Sequence, residues 1–138
     1  MYKKILVTLD GTRTDRAIID HIKSLAGVLH SRVVLLHVAT GVAAKYHRSD
    51  AAGQEVGEGK TFLQRVRKEF TDAGIETEAE LAYGDPAREI VKWIEEKGCD
   101  LVAMSTHGHQ FVADLILGTT AIKVQHNISV PALLLRAK

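Results

Sequence analysis

Short apolar runs alternate with longer amphipathic stretches along this chain. Three of the runs are apolar almost without interruption, for example "VVLLHV" in the second, which is typical of strands buried on both faces of a sheet. The run "IETEAELAYG" alternates instead and predicts a half-exposed or edge strand. The predicted strands are residues 2–10, 31–39, 75–84, 100–106 and 130–137.

Between the strands, apolar residues recur at the spacing of an amphipathic helix. The predicted helices are residues 12–30, 60–74, 85–98 and 120–128. Thr12 or Thr14 can cap the first of them. The third has the clearest local signals, because Asp85 is a good N-cap, Pro86 suits the first helical position and Gly98 ends the pattern.

Strands that alternate with helices predict a parallel sheet with helices on both of its faces. Because crossover connections are right-handed, such strands form a doubly wound, three-layer α/β/α sandwich. The predicted fold is therefore α/β and Rossmann-like, with a five-stranded parallel sheet of order 3-2-1-4-5 in a single domain of residues 1–138. In such sheets, ligands bind beyond the carboxyl ends of the strands, where the strand order reverses.

The stretch "GQEVGEGKT" at residues 53–61 looks like a phosphate-binding P-loop but departs from its pattern. One residue too many separates its first glycine from the Gly-Lys-Thr, and no apolar strand precedes it. Glu55 and Glu58 would also bring negative charge to a phosphate. Residues 40–57 show no periodicity and predict instead a flexible loop that enters a helix at Lys60.

Composition narrows the class of protein. The chain has 138 residues, of which 46% are hydrophobic, and 18 basic against 17 acidic side chains give a net charge of +1. This balance provides no field to attract nucleic acid or an anionic membrane, and the apolar runs are far shorter than the ~20 residues of a membrane span. Cys99 is the single cysteine and suits a reducing compartment. With no signal-peptide pattern at its amino terminus, the chain is expected to be cytoplasmic.

The exit of the fourth strand has the pattern expected of a phosphate site. In "STHGHQFVADLILGTTAIKV", Gly108 follows the strand, and Gly118 with two threonines opens the last helix. Glycines let the backbone approach a phosphate closely, and a helix N-terminus presents free N–H groups. Asp10, at the exit of the first strand, is placed to accept a hydrogen bond from an adenine amino group or a ribose hydroxyl. The alternative is that both glycines only form turns.

These residues resemble the universal stress protein family. The glycines follow that family's pattern Gly-x2-Gly-x9-Gly-(Ser/Thr), with Ser105 in place of the first glycine. The segments "KKILVTLDGTRTDRAI", "VVLLHV", "GDPAREIVKWIEEKGCDLVAMSTHG" and "VPALLLR" match the family's other landmarks in order, so the resemblance covers essentially the whole chain. It implies an adenine-nucleotide-binding protein of the ATP-binding branch.

The resemblance also implies particular contacts. Asp10 and its neighbour Thr8 match the adenine and ribose contacts, the backbone of Val38 matches an adenine contact, and the glycine loop matches the phosphate contacts. The predicted nucleotide-binding residues are Thr8, Asp10, Val38, Met104, Ser105, His107, Gly108, His109, Gly118, Thr119 and Thr120. The expected ligand is ATP, or ADP or AMP, with Mg²⁺ or Mn²⁺ held through its phosphates rather than by the protein.

Two other arrangements of these residues have to be weighed. His107 and His109, with His126, suggest a metal site, but a fourth ligand is not apparent. Ser105, His107 and Asp10 could form a nucleophile triad, but no Gly-x-Ser-x-Gly elbow surrounds the serine. Nucleotide binding explains these residues better than either arrangement, and no catalytic residue is assigned.

Three side chains elsewhere have simpler explanations. His37, within an apolar strand, is expected to be a buried histidine whose hydrogen bonds are satisfied. Trp93 is spaced to pack on a helix face. Cys99 is expected to pack at the start of a strand.

The predicted function is ATP binding with a regulatory or stress-response role. No general base is evident in the sequence, so any ATP hydrolysis would be slow or partner-dependent, and a nucleotide-free interaction module is a further alternative. The last strand lies at one edge of the predicted sheet, and an apolar edge invites pairing with a second chain. The family resemblance implies the same, so we expect a homodimer joined through residues 130–137.

Overall fold

The computed structural model describes residues 1–39, 50–106 and 119–136. For residues 50–56 and 119 it describes the backbone alone. Strands and helices alternate in these ranges. The strands are β1 (Lys4–Leu9), β2 (Arg32–Ala39), β3 (Thr77–Tyr83), β4 (Leu101–Ser105) and β5 (Ala132–Leu135). The helices are α1 (Arg16–Leu29, preceded by a 3₁₀ turn at Arg13–Asp15), α2 (Asp50–Asp72), α3 (Pro86–Lys97) and α4 (Thr119–Asn127).

The strands form one parallel sheet in the order β3-β2-β1-β4-β5, which confirms the predicted topology. β1 is the central strand, and its Ile5 lies beside Val33 of β2 and Leu101 of β4. The chain winds from β1 through β2 to β3, then crosses to β4 on the other side of β1. The strand order therefore reverses between β1 and β4.

Successive side chains of β1 enter two separate cores, because neighbouring residues of a strand point to opposite faces of the sheet. Ile5 and Val7 pack with apolar side chains of α1 and α2, among them Phe70. Leu6 packs on the opposite face with α3 and α4, where Val124 is fully buried. The continuous apolar run of this strand thus reflects burial on both faces, as predicted.

Helix α2 begins earlier than the sequence pattern indicates. The prediction of a loop over residues 40–57 is wrong from Asp50 onward, because the helix extends from Asp50 to Asp72 rather than starting at Lys60. Its buried residues, such as Leu63 and Phe70, anchor the later turns. The earlier turns contain three glycines, at positions 53, 57 and 59, which disfavour a helix on their own. They are helical because the buried later turns nucleate the helix, and each further residue then adds a hydrogen bond.

Helix α3 has the caps that its sequence predicts. The carboxylate of Asp85 accepts a hydrogen bond from the Arg88 N–H at 2.9 Å, and Gly98 ends the helix in a left-handed conformation with φ of 66°. Cys99 follows and is buried directly before β4. Trp93 packs against the core on this face, which agrees with the prediction for it.

The two edges of the sheet are β3 and β5. β5 is shorter than the predicted strand at residues 130–137, and its four residues are all half-buried. Leu133 and Leu135 pack toward α1 and α2, whereas Leu134 packs toward α3 and α4. In the described part of the chain, no helix is both long and apolar enough to cross a bilayer.

Candidate functional site

Three strand exits meet at the carboxyl edge of the sheet. Val7 of β1 is paired with Leu35 of β2 on one side and with Ala103 of β4 on the other, so the chain leaves β1 between the ends of its two neighbours. The start of α4 reaches the same edge, because the helix of a parallel crossover runs back from the carboxyl ends of the strands. The fold therefore brings the exit of β1 together with the exit of β4 and the first turn of α4.

The predicted site residues differ in accessibility at this edge. Asp10 is exposed. Thr8, Val38, Ser105 and Thr120 are half-buried, so each can contact solvent or a ligand while it packs against the sheet.

Met104 is buried in the core on the α3 and α4 face, so its side chain serves packing and only its backbone is left to face a ligand. Thr119 is the first residue of α4. The predicted residues that lie outside the described ranges are His107, Gly108, His109 and Gly118.

One buried carboxylate holds the turn that follows β1. Asp15 is 1% exposed. Its Oδ1 accepts the N–H of Asp10 at 2.9 Å, and its Oδ2 accepts those of Gly11 at 2.8 Å and Thr12 at 3.3 Å. Asp15 is not among the residues predicted from the sequence, although Thr12 and Asp15 have the spacing of a capping box. The structure confirms that box and shows Thr12 as the cap.

This arrangement fixes both the shape and the electrostatics of the turn. Gly11 has φ of 84°, a left-handed conformation that other residues adopt at a cost. Burial raises the pKa of Asp15 above its ordinary value of 3.8, although the three N–H groups oppose the shift. Because those N–H groups already donate to Asp15, they cannot also cradle a phosphate. A phosphate at this edge would instead lie toward α4, whose N-terminal N–H groups face the same side.

His37 links the turn to β2 and α2. Its Nδ1 donates to the backbone oxygen of Leu9 at 2.9 Å, and the ring lies between two glycines. A Cβ on Gly11 would come within 3.4 Å of the ring, and a Cβ on Gly59 within 3.3 Å. The prediction of a satisfied histidine is confirmed for this nitrogen, and the ring is half-buried. His37 therefore sets the distance between the exit of β1 and helix α2.

The segment that looks like a P-loop is part of this packing. Gly59, Lys60 and Thr61 all lie within α2, and the Thr61 hydroxyl donates to the backbone oxygen of Gly57 at 2.9 Å. Helical backbone cannot form the N–H cradle of a P-loop, since the turn must follow a strand. The interpretation against a P-loop is confirmed, and Gly59 is explained by its contact with His37.

Of the three histidines that suggest a metal site, His126 is the one that lies among the described residues. Over residues 1–39, 50–106 and 119–136, no group of three or more His, Cys, Asp or Glu side chains is arranged to hold a metal ion. His126 is exposed near the end of α4. The other histidines of that hypothesis, and the histidine of the nucleophile triad, are outside the described ranges.

The family of the chain follows from comparison with known proteins. A model of the universal stress protein family matches residues 1–136. The chain belongs to the universal stress protein family. It is 27% identical to universal stress protein MJ0577 of Methanocaldococcus jannaschii, in an alignment that covers 100% of this chain and 97% of that protein. It is 32% identical to a universal stress protein of Methanothermobacter thermautotrophicus, over 91% of this chain and 90% of the relative.

Solved structures give the same assignment. The structure of MJ0577 superposes with a TM-score of 0.88 at 28% identity, and the match covers 100% of this chain and 98% of the other. A universal stress protein of Archaeoglobus fulgidus, solved in complex with dAMP, has a TM-score of 0.72 at 19% identity and covers 98% of both chains. At that identity the second likeness concerns the fold alone.

Proposed function

We propose that this universal stress protein binds an adenine nucleotide, with ATP as the main ligand, at the carboxyl edge between β1 and β4. The observation that carries the proposal is the Asp10 turn, which Asp15 holds in one shape through three backbone N–H groups. The turn lies where the strand order reverses, which is where ligands of doubly wound sheets bind. The dAMP complex of the Archaeoglobus fulgidus protein supports the proposal, because it places an adenine nucleotide on the same fold.

In this proposal the base and the phosphates of the nucleotide lie on different sides of the crevice. The carboxylate of Asp10 would accept from the adenine amino group or a ribose hydroxyl, and Val38 and Thr8 would line the same side. The phosphates would lie toward Thr119 and Thr120, because the N–H groups of the Asp10 turn are used by Asp15. Two neighbouring carboxylates also disfavour a phosphate near β1, since like charges repel.

We propose that a divalent cation, Mg²⁺ or Mn²⁺, is held through the phosphate oxygens of the nucleotide. Among the described residues, no three ligating side chains form a cluster. The cation would neutralise phosphate charge there. We propose a regulatory role in stress response for the bound state, in the cytoplasm, rather than rapid turnover of ATP.

The first experiment is mass spectrometry of nucleotide released from the purified protein, followed by calorimetric titration with ATP and Mg²⁺. Asp10→Ala should weaken binding at least tenfold, about 1.4 kcal/mol, because it removes the acceptor at the adenine or ribose end. Asp20→Ala is the matched control, since Asp20 is an exposed carboxylate of α1. Equal affinity in all three proteins would show that the site is misplaced.

The phosphate side needs its own variant. Gly118, which lies outside the described residues, should be replaced by Val, since a branched side chain would keep the backbone away from a phosphate oxygen. We expect at least a tenfold loss of ATP affinity, about 1.4 kcal/mol, in a protein that still folds. Single-turnover assays with Mg²⁺ would show whether the protein also hydrolyses ATP, and fast hydrolysis would replace the binding proposal with an enzymatic one.

We also propose a homodimer that pairs through β5. Among the described strands, β5 pairs with β4 alone, and its outer edge can accept an antiparallel copy related by a two-fold axis. Leu133→Lys or Leu135→Lys alters the dimer but also the core against which both residues pack. Sedimentation equilibrium of the unmodified protein is therefore the cleaner test, and a monomer at micromolar concentration would refute the dimer.

A further inference from the structure

A groove lies on the α1 and α2 face, separate from the crevice between β1 and β4. It runs between the start of α1 and the middle of α2, and its volume is ≈ 320 Å³, at the lower end of the range of small-molecule pockets. The turn at Gly11 and Thr12 closes one end of it. The groove therefore has the size of a pocket for one small molecule.

The floor of the groove is apolar. Ile19 of α1 and Val66 of α2 are each 3% exposed, and Phe62 is half-buried beside them. These side chains belong to the core between the two helices or pack against it. A ligand would therefore rest on a rigid hydrophobic surface, which favours an apolar or aromatic body.

The walls of the groove are cationic. Arg13, Arg16 and Arg65 all line it, and among the described residues Glu69 is the one carboxylate in the lining. Glu69 is already neutralised, because Arg16 donates to both of its oxygens at 2.7 and 2.9 Å and Lys23 donates at 2.7 Å.

Two of the guanidinium groups are not neutralised by a carboxylate of the described residues. Within the described part of the chain, Arg13 and Arg65 form no ion pair, and Arg65 lies over the ring of Phe62 at 5.8 Å from its centroid. The unbalanced charge of the groove is therefore positive. Planar guanidinium groups suit a carboxylate better than an ammonium does, because their N–H donors match its two oxygens.

We propose that this groove binds a small organic acid: an aromatic or branched aliphatic body on Phe62, Ile19 and Val66, with its carboxylate between Arg13 and Arg65. Arg16 stays bound to Glu69 and holds the helices together beneath the ligand. The site does not depend on nucleotide binding, and it shares with the nucleotide crevice only the turn at Gly11 and Thr12.

The test is an NMR titration of the full chain, labelled with ¹⁵N and free of nucleotide, with 1-naphthoate as the probe. Saturable shifts are expected at Gly11, Thr12, Phe62 and Val66. Arg13→Gln and Arg65→Gln should each weaken binding by about threefold or more, and the double variant by about tenfold. Both residues are exposed, so the variants should fold, and circular dichroism checks that they do.

Two controls make the result decisive. Arg32→Gln removes an exposed arginine at the opposite end of the sheet, where it pairs with Glu76, and should leave binding unchanged. The neutral probe 1-naphthamide should bind at least about fivefold more weakly than 1-naphthoate.

Several results would overturn the proposal. The first is the absence of saturable shifts at millimolar 1-naphthoate, and the second is shifts centred on Thr8, Asp10 and Ser105 instead of the groove. The third is a loss of affinity in the Arg32→Gln protein as large as in the Arg13 and Arg65 variants. The fourth is binding of 1-naphthamide as tight as that of 1-naphthoate. ATP binding is measured separately by calorimetry on the Asp10→Ala and Gly118→Val proteins, so failure of the groove proposal is distinguishable from failure of the nucleotide proposal.

Discussion

Replacing Asp15 with Asn tests whether one carboxylate determines the shape of the nucleotide edge. The change keeps the size of the side chain but turns one of its two acceptor oxygens into an NH₂ donor. If the amide oxygen takes the place of Oδ2, it keeps the N–H groups of Gly11 and Thr12, and the new NH₂ faces the N–H of Asp10. One of the three hydrogen bonds is then lost.

The magnitude follows from these three bonds. The N–H of Asp10 is only partly buried, so leaving it without an acceptor costs toward the lower end of about 1–3 kcal/mol, and the two remaining bonds lose the part that comes from the charge of the acceptor. Against this, the wild-type protein has to bury a charge, an effect that also raises the pKa of Asp15. We expect Asp15→Asn to lower the free energy of unfolding by about 2 kcal/mol, and Tm by several degrees.

The assay is urea unfolding of the two proteins, monitored by circular dichroism, together with ATP titration of each. Asp20→Asn is the matched control, because the same chemical change is made on the exposed surface of α1, which directly follows the 3₁₀ turn that contains Asp15. Among the described residues, Asp20 forms exposed ion pairs with Arg16 at 3.4 Å and Lys23 at 3.8 Å, worth at most about 1 kcal/mol. ATP affinity should fall with Asp15→Asn and stay unchanged with Asp20→Asn. Equal stability of the two variants would refute the role given to Asp15.

Three further predictions concern residues away from that turn. Gly57→Ala should raise the free energy of unfolding by about 0.5–1 kcal/mol, because a Cβ there meets nothing within 4 Å. Gly59→Ala should gain little stability or lose some, because its Cβ would meet His37 at 3.3 Å. Equal gains in urea unfolding would contradict the His37 packing. Cys99 should react with iodoacetamide at pH 8 far more slowly in the native protein than in urea. Burial raises the pKa of its thiol to about 11, and the thiolate is the reactive form. Equal reaction rates would show that the thiol is accessible. Lys60→Ala should change the ATP affinity by no more than about twofold, because an exposed lysine in the middle of α2 is not part of a phosphate cradle. A tenfold loss of affinity by calorimetry would support the P-loop interpretation instead.

The sheet could be predicted because its signals are local and repeated. The apolar run of β1 and the caps of α3 at Asp85 and Gly98 each indicate their element within a few residues, and the right-handed crossover rule then leaves few topologies. The start of α2 could not be predicted in the same way. Its first turns carry no apolar periodicity, and they are helical because the later, buried turns around Leu63 extend the helix backward.

The candidate site could be predicted only in part, for a similar reason. Asp10 and Thr120 lie at strand or helix ends, and those ends follow from the pattern of the sequence. The role of Asp15 depends on burial by neighbouring elements, and a Thr-x-x-Asp spacing alone does not reveal it. The contact of His37 with Gly11 and Gly59 joins three segments, so no single stretch of sequence contains it.

The position of His37 has a consequence for how sequences of this family can diverge. A Cβ at position 59 would lie 3.3 Å from the imidazole of His37, tighter than an ordinary contact, whereas position 11 is restricted mainly by its φ of 84°. Positions 37 and 59 are therefore expected to change together. A chain with a smaller residue at position 37 gains room for alanine or serine at position 59, while a chain that keeps histidine should keep glycine there. Correlated substitution of these positions across family members would record that steric coupling in evolution.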